Sequence, residues 1–417
     1  MRPVWIKNAA QLVTLAGENG PRRQKQMSEL SIIEDGSVWM ENGEILAIGT
    51  TSELEALYGK RTHEADVVDA FGRLVTPGLV DPHTHVAYGG SREREFEMRL
   101  EGSTYMEIMN AGGGIHATTR MTREATEDEL VAQTTRRLDS FLAHGVTTVE
   151  GKSGYGLDLE TELKQLRAMK RLNETHPIDL VPTFMGGHAV PQEYKGSEEQ
   201  YIDLLVNDML PKVAKEGLAV FNDVFCEVGV FTPEQSERIL EAGKKLGLIP
   251  KIHADEIESY GGAELAAKVG AISAEHLLKA SDEGVRLMAE AGVIACLLPA
   301  TALYLREEAA KGRAMIDAGV AVAISTDCNP GSSPTTSMPL VMNLACISMR
   351  LTPAEALVAA TMNAACAIGM EEKVGSLEVG KQADVVMWNV SNYQELQYLF
   401  GVNHVNIVWK KGVQVVG

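Results

Sequence analysis

Cysteine is scarce in this sequence, and the cysteines present are not spaced as pairs. Only five occur among 417 residues, and no two of them form a C-x-x-C pair. Small disulfide scaffolds and cysteine-based zinc modules depend on such pairs, so both are excluded. An odd, scattered set is typical of proteins in a reducing cytosol. The five positions are Cys226, Cys296, Cys328, Cys346 and Cys366.

Positive charge and long apolar runs are also in short supply. Lys and Arg number 38 against 57 Asp and Glu, which gives a net charge of −19. Such an acidic chain is poorly suited to nucleic acids or anionic membranes, and a small anionic substrate would need cations within its own site. The N-terminus lacks the continuous apolar core of a signal peptide, and the most apolar later stretch, 292–305, is too short to span a bilayer. We therefore expect a cytoplasmic protein.

Short apolar runs alternate with longer helical patterns from residue 74 to residue 325. Strands that alternate with helices form right-handed βαβ units, and eight of them predict a closed (β/α)8 barrel, a TIM-like fold of the α/β class. An open, doubly wound sheet is the alternative, but the glycine-rich phosphate turn typical of that fold is not found. The predicted strands are 74–81, 146–150, 179–184, 223–228, 249–253, 271–276, 293–298 and 320–325.

Both ends of the chain have the pattern of β-structure. Residues 37–40 and 44–48 flank Asn42-Gly43, which is a strong signal for a tight hairpin. Strand-like runs return near the C-terminus, at 383–388 and beyond. We expect the two ends to pack together as one small β-sandwich domain, with the chain divided into 1–74, 75–369 for the barrel, and 370–417.

Histidines and an aspartate fall at the carboxyl ends of the predicted strands. His83 and His85 form an H-x-H pair after the first strand, where alternate residues point to the same side. His253, His276 and Asp327 end the fifth, sixth and eighth strands. Each residue alone is more often structural, but together they occupy the rim on which such barrels keep their chemistry.

This set of side chains predicts metal-assisted hydrolysis. Three imidazoles and one carboxylate suit zinc, or another borderline divalent metal such as iron. Metal coordination lowers the pKa of a bound water toward neutrality, and a ligating carboxylate can accept the proton of that water. The residues alone do not decide which of Asp327, His276 and Glu256 is the general base and which is the general acid.

Several longer motifs resemble the amidohydrolase superfamily. Its general marks are VTPGLVDPHTH around the H-x-H pair and the tail NAACAIGMEEKVGSLEVGKQADVVMWN. KSGYGL, HADE and DCNPGSSP resemble, more specifically, the members that hydrolyse 4-imidazolone-5-propanoate to N-formimidoyl-L-glutamate in histidine degradation. The likeness covers nearly the whole chain and implies a ring-opening hydrolase that acts on the carbon–nitrogen bond of a cyclic amide.

The resemblance also implies a set of site residues. One metal, zinc or iron, would be bound by His83, His85, His253 and Asp327, and the catalytic groups would be Asp327, His276 and Glu256. The implied substrate contacts are Arg92, Tyr105, Tyr155, His188, Glu256, Asn329, Gly331 and Ser332. Arg92 can bind the propanoate carboxylate with two parallel hydrogen bonds. The only partners expected are the small-molecule substrate and, from the resemblance, a second copy in a homodimer.

Two other functions remain open at this stage. A related amidohydrolase, such as a deaminase of an aromatic heterocycle, would share the metal ligands but not the KSGYGL and DCNPGSSP loops. A non-catalytic barrel used as an interaction scaffold would typically have lost metal ligands, which this chain keeps. Some superfamily members bind two metals through a carboxylated lysine on the fourth strand, but residues 224–228, VFCEV, contain no lysine, which favours one metal.

Overall fold

The computed structural model describes residues 2–103, 107 and 112–417, which form two sheets and the helices around them. The strands are β1 Val4–Val13, β2 Ile32–Glu41, β3 Glu44–Thr50, β4 Asp66–Asp69, β5 Leu74–Pro77, β6 Leu79–Asp81, β7 Val146–Lys152, β8 Asp179–Gly187, β9 Phe221–Cys226, β10 Ile249–Ala254, β11 Ser273–His276, β12 Ile294–Leu297, β13 Val322–Ile324, β14 Val385–Trp388, β15 Val405–Lys410 and β16 Val413–Val416. The helices are α1 Thr51–Tyr58, α2 Glu93–Leu100, α3 Ile115–Glu124, α4 Glu127–Ala143, α5 Leu159–Thr175, α6 Glu198–Leu204, α7 Leu210–Glu216, α8 Pro233–Lys245, α9 Gly262–Val269, α10 Asp282–Ala291, α11 Pro299–Leu305, α12 Gly312–Asp317, α13 Met338–Met349, α14 Pro353–Ala359, α15 Met362–Ala367 and α16 Tyr393–Tyr398.

Strands β6 to β13 form the predicted barrel sheet. They lie in chain order, and every neighbouring pair is parallel. The helices between them bury apolar faces against the strands, as Leu166, Met209 and Ile239 do in the largest core cluster. The (β/α)8 prediction is confirmed, since each predicted strand from residue 146 onward overlaps one observed strand.

The first predicted strand, 74–81, is wrong as a single strand. It is divided at Gly78 into β5, which pairs with β1 and β14 in the other sheet, and β6, which pairs with β7 in the barrel. A Cβ at Gly78 would overlap the side chain of Thr147, so the two sheets approach too closely here for any larger residue. An unbroken apolar run therefore concealed the change of sheet.

The barrel is closed by side chains between its first and last strands. β6 and β13 stand at the two ends of the strand order. The buried carboxylate of Asp81 accepts hydrogen bonds from Thr326 N at 3.3 Å and from Thr326 Oγ1 at 2.6 Å, and it also contacts Ser325 Oγ. Ser325 Oγ lies 2.6 Å from His83 O. Burial raises the pKa of Asp81 to about 7. This contact sets the spacing of the two strand ends that lead into the metal-binding candidates.

The two chain ends build the second sheet, in the order β16-β15-β14-β5-β1-β2-β3, with β4 beside the first half of β1. Most of its pairs are antiparallel, and Asn42 and Gly43 form the predicted hairpin turn with φ values of 55° and 87°. Ile45 N donates to Lys381 O at 2.9 Å, so β3, at one end of the strand order, contacts the segment that leads into β14. The two chain ends therefore form one continuous sheet with a core of its own, which includes Ile6 and Trp409.

No helix among the described residues is both long and apolar enough to cross a bilayer. The domain division at residues 74 and 369 stays a prediction. The strands of the chain-end sheet stop at Pro77 and resume at Val385.

Candidate active site

Most of the predicted site residues line one cavity at the carboxyl ends of the barrel strands. Its volume is about 500 Å³. The predicted residues that line it are His85, Arg92, Tyr155, His188, His253, Glu256, His276, Asp327, Asn329, Gly331 and Ser332. His83 is fully buried, with its ring centre 4.5 Å from that of His253. Tyr105 lies outside the described residues.

Four donor atoms face one another where β6, β10 and β13 end. Asp327 Oδ1 lies 3.4 Å from His83 Nε2 and 3.7 Å from His85 Nε2. His85 Nε2 lies 3.3 Å from His253 Nε2. In a tetrahedral zinc site with bonds of about 2.0 to 2.1 Å, neighbouring donors are about 3.3 Å apart. His83 Nε2 and Asp327 Oδ1 are buried and have no hydrogen-bond partner among the described residues. The four residues therefore fit a divalent metal.

The two other predicted catalytic groups flank this cluster. His276 Nδ1 is 3.5 Å from Glu256 Oε1, and the ring of His276 lies 5.2 Å from that of His253. His276 and Asp327 have φ values of 70° and 52°. Residues other than glycine rarely adopt this conformation, and they concentrate at active sites, where the surrounding structure imposes it. Thr301 Oγ1 donates to Asp327 Oδ2 at 2.7 Å, which leaves Oδ1 turned toward the imidazoles.

A second layer of charged residues, which the sequence did not reveal, supports the histidines. Glu275 Oε2 lies 2.7 Å from Nδ1 of His83, and Asp223 Oδ1 lies 3.1 Å from Nδ1 of His253. Such carboxylates fix the tautomer and the ring orientation of a metal-binding histidine. The available signal was a charged residue in the middle of an apolar strand, as in FNDVFC and SAEH.

Arginines gather at the other end of the cavity. Arg92 donates from Nε and Nη2 to Glu95 Oε2 at 2.9 and 2.7 Å, and its guanidinium lies against Gly331, where a side chain would collide with it. Arg99, which the sequence did not single out, donates to Gly331 O at 3.0 Å and also lines the cavity. The two guanidiniums outnumber the carboxylate of Glu95, so this end attracts an anion in an otherwise acidic protein.

Aromatic rings form the wall between the arginines and the histidine cluster. His188 stacks on His85 with ring centres 4.7 Å apart, and the ring of Tyr155 is 5.2 Å from that of His188. His188 Nδ1 lies 3.0 Å from Gly154 O. This bond makes Nδ1 the protonated nitrogen of a neutral ring and leaves Nε2 as an acceptor. A flat, polar heterocycle is the kind of ligand that such a wall suits.

The loop after Asp327 is shaped by its own asparagine. Asn329 Oδ1 accepts from Gly331 N and Ser332 N, both at 2.8 Å, and Asn329 Nδ2 donates to Asp327 O at 2.7 Å. An asparagine bound to its own backbone in this way makes a rigid turn. The turn therefore ties the loop residues that line the cavity to the backbone of Asp327.

Burial shifts the pKa values of the site residues in two directions. It raises the pKa of Asp327 to about 6, and burial together with the charge of Asp327 raises the pKa of Glu256 to about 8. Burial lowers the pKa of His188 to about 3 and holds the pKa values of His83 and His276 well below the usual range. His83, His188 and His276 are therefore neutral, and neutral imidazole is the form that binds a metal.

Comparison with known proteins agrees with this geometry. The chain matches the amidohydrolase family over residues 74–415, and it belongs to that family of hydrolases. The imidazolonepropionase of Brevibacillus brevis (strain 47) is 64% identical over 416 residues, which covers 100% of this chain and 98% of the relative. That of Geobacillus kaustophilus is 62% identical over 417 residues, with coverage of 100% and 98%. Among the amidohydrolases, the chain therefore belongs with the imidazolonepropionases.

Solved structures of more distant proteins share the fold. An adenosine deaminase from Xanthomonas campestris with bound zinc superposes with a TM-score of 0.72 at 20% identity, over 99% of this chain and 92% of that one. The guanine deaminase of E. coli gives a TM-score of 0.75 at 15% identity, with coverage of 100% and 99%. At such low identity, the likeness supports the barrel and its added sheet and not a shared substrate.

Proposed function

We propose that this protein hydrolyses 4-imidazolone-5-propanoate to N-formimidoyl-L-glutamate. The observation that carries the proposal is a cavity that has four potential metal-binding side chains at one end and two arginines at the other. The substrate has the matching parts, since its ring carbonyl must reach the hydrolytic group while its propanoate needs a cation. The names of the full-length relatives agree with this substrate.

One divalent metal per chain, zinc or iron, is held in this proposal by His83, His85, His253 and Asp327. When bound, such an ion supplies an acidified water and polarises the carbonyl that is attacked. Among the described residues, the other candidate metal-binding groups also include His83, so they overlap this site rather than form a second one. The absence of a lysine from the fourth barrel strand, FNDVFC, also favours a single metal.

The two carboxyl groups divide the proton transfers between them. Asp327, with a pKa of about 6, is ionised at neutral pH, so its Oδ1 accepts the proton of the attacking water. The new carbon–oxygen bond forms at the ring carbonyl, and the carbon–nitrogen bond of the ring breaks. Glu256, with a pKa of about 8, is protonated at neutral pH and donates its proton to the departing ring nitrogen. A pair of carboxyl groups with separated pKa values is a recurring base-and-acid arrangement.

The remaining residues bind and orient the substrate. Arg92 binds Glu95 through Nε and Nη2, which leaves its Nη1 to donate to the propanoate. The rings of Tyr155 and His188 line one side of the approach to the metal ligands, and His188 Nε2 accepts a ring N–H. His276, beside Glu256, steadies the oxygen that becomes negatively charged during attack.

The test is turnover of 4-imidazolone-5-propanoate by purified protein of known metal content. We expect about one metal per chain, loss of the ring absorbance, and arrest of that loss by a chelator. Asp327→Ala should abolish turnover, because it removes both a metal ligand and the base. Bound metal without turnover would point to another cyclic amide or to a deaminase substrate. If the protein shows no bound metal and no turnover, the results would favour a non-catalytic scaffold instead.

Two further predictions belong to this proposal. We propose a homodimer, which the resemblance to histidine-degrading enzymes implies, and a cytoplasmic location, which the scattered cysteines favour. Size-exclusion chromatography with light scattering tests the first, because a dimer has twice the chain mass of 45.1 kDa.

A further inference from the structure

A lysine is buried directly behind the metal-binding histidines. Lys152, the last residue of β7, has no exposed surface. Its Nζ lies 2.7 Å from Asp223 Oδ2 and 2.7 Å from Glu150 Oε1, and both carboxylates are fully buried as well. A buried ammonium is costly unless carboxylates pair with it, and a buried carboxylate is costly without a cation. The three groups therefore depend on one another for their positions.

Both carboxylates connect Lys152 to the candidate metal ligands. Asp223 uses its other oxygen, Oδ1, to reach Nδ1 of His253 at 3.1 Å. Glu150 Oε2 accepts a hydrogen bond from Thr84 N at 3.2 Å, and Thr84 is the residue between His83 and His85. The backbone N–H of Lys152 itself donates to Thr84 O at 2.8 Å. The ammonium of Lys152 thus contacts both carboxylates, which in turn support His253 and the segment that carries His83 and His85.

We propose that Lys152 is a positioning residue for the metal site. It holds Asp223 in the place where that carboxylate fixes the Nδ1–H tautomer of His253, so that Nε2 of the imidazole is directed at the metal. Through Glu150 it also holds the H-x-H segment against the end of β7. The inference rests on the proposed metal-dependent function. In it, Lys152 raises the affinity of the site for metal but contacts neither the metal nor the substrate.

Lys410, in β15, offers a matched comparison away from the metal site. It is also buried, and its Nζ lies 2.7 Å from Asp179 Oδ2 and 2.6 Å from Asp384 Oδ2. The other partners of these two carboxylates are Gln382 and Lys411, which are not among the candidate site residues. Loss of Lys410 should therefore lower the stability of the fold more than it lowers metal affinity.

The experiment is zinc titration of chelator-stripped protein against a competing fluorescent chelator, with circular dichroism as the check on folding. For Lys152→Met we expect zinc affinity to fall about 10- to 100-fold, the usual effect of losing an outer-shell partner. The double variant Lys152→Met/Glu150→Gln removes one charge of each sign, so it leaves less unpaired buried charge and can be measured if the single variant does not fold. It should show the same loss of affinity, because Asp223 still lacks its cation.

A double-mutant cycle separates positioning from a general structural effect. If Lys152 acts through Asp223, then Asp223→Asn combined with Lys152→Met should bind zinc almost as well as Asp223→Asn alone, since the shared contact is lost only once. The inference would be overturned if the loss of zinc affinity in this double variant equalled the product of the losses in the two single variants. It would also be overturned by wild-type affinity in the Lys152→Met/Glu150→Gln variant, or by an equal loss in Lys410→Met. If the unaltered protein binds no zinc and no ferrous iron, the proposed function fails, and the inference fails with it.

Discussion

At the residue scale, the surroundings of a side chain decide its chemistry in this protein. Asp327 and Glu256 carry the same functional group, yet burial raises the pKa of one to about 6 and of the other to about 8. Asp327 also accepts a hydrogen bond from Thr301, which favours its ionised form. Glu256 has the charge of Asp327 nearby, which favours its protonated form. In the proposed mechanism, this difference supplies a base and an acid at neutral pH.

The pH profile should show the role of Glu256. As the pH rises through about 8, Glu256 loses the proton that it donates, so kcat/KM should decline on the alkaline side. In Glu256→Gln this decline should disappear, and kcat should be about 100- to 10,000-fold lower at pH 7. The measurement is kcat/KM from pH 6 to pH 10, with Glu258→Gln, an exposed position of the same loop, as the control. An alkaline decline that persists in Glu256→Gln would assign the acid to another group.

Arg92 should determine affinity for the carboxylate of the substrate. Arg92→Met removes a guanidinium that lines the cavity and, with it, the ion pair to Glu95. We expect KM to rise about 10- to 100-fold with a smaller effect on kcat, because the contact is made in both the ground state and the transition state. Arg94→Met, at an exposed position of the same helix, should leave both constants unchanged. A change confined to kcat would show that Arg92 acts on the reaction and not on binding.

At the element scale, the strand ends carry the site, and the sequence pattern identified most of them. Regular alternation of apolar runs and helical patterns placed His253, His276 and Asp327 at the ends of three strands, and the structure brings them to one rim. The pattern failed at 74–81 because both halves of that run are buried, one in each sheet. Apolar periodicity reports burial, and it does not report which sheet buries the residue.

Gly78 should be intolerant of any side chain. In Gly78→Ala the new Cβ would overlap Thr147, and the backbone between β5 and β6 would have to move. We expect unfolding free energy to fall by about 1 to 3 kcal/mol, the usual cost of forcing extra atoms into a packed interior. Gly59→Ala is the control, because that glycine has a helical φ of −55° and open space around it. Equal melting temperatures for the two variants would show that the sheets can separate without cost.

At the scale of the whole molecule, the candidate metal site joins parts of the barrel that are distant in sequence. The four candidate ligands follow or end β6, β10 and β13, the first, fifth and last strands of the barrel sheet. The side-chain contact between Asp81 and Thr326 connects the same first and last strands. An ion bound to these ligands therefore holds together the elements whose separation would open the barrel.

Metal removal should for this reason lower thermal stability as well as activity. A ligand present at about 1,000 times its Kd stabilises the folded state by about 4 kcal/mol when it does not bind the unfolded chain. We expect a chelator to lower the melting temperature, and added zinc to restore it. Asp327→Asn should weaken this response, because it replaces a carboxylate ligand with a neutral amide. A melting temperature that is insensitive to chelator would contradict a metal held by all four residues.

The barrel, the Asn42-Gly43 hairpin and the residues at the strand ends were predictable from the sequence, because they depend on local periodicity and turn chemistry. The contacts that support those residues were not predictable, because they join distant parts of the chain. Glu275 meets His83 across 192 positions, and Asp81 meets Thr326 across 245. Asp223, on β9, likewise reaches Lys152, on β7, only because three strands lie side by side. No short-range pattern encodes such contacts, since they arise from how a closed sheet brings distant strands into register.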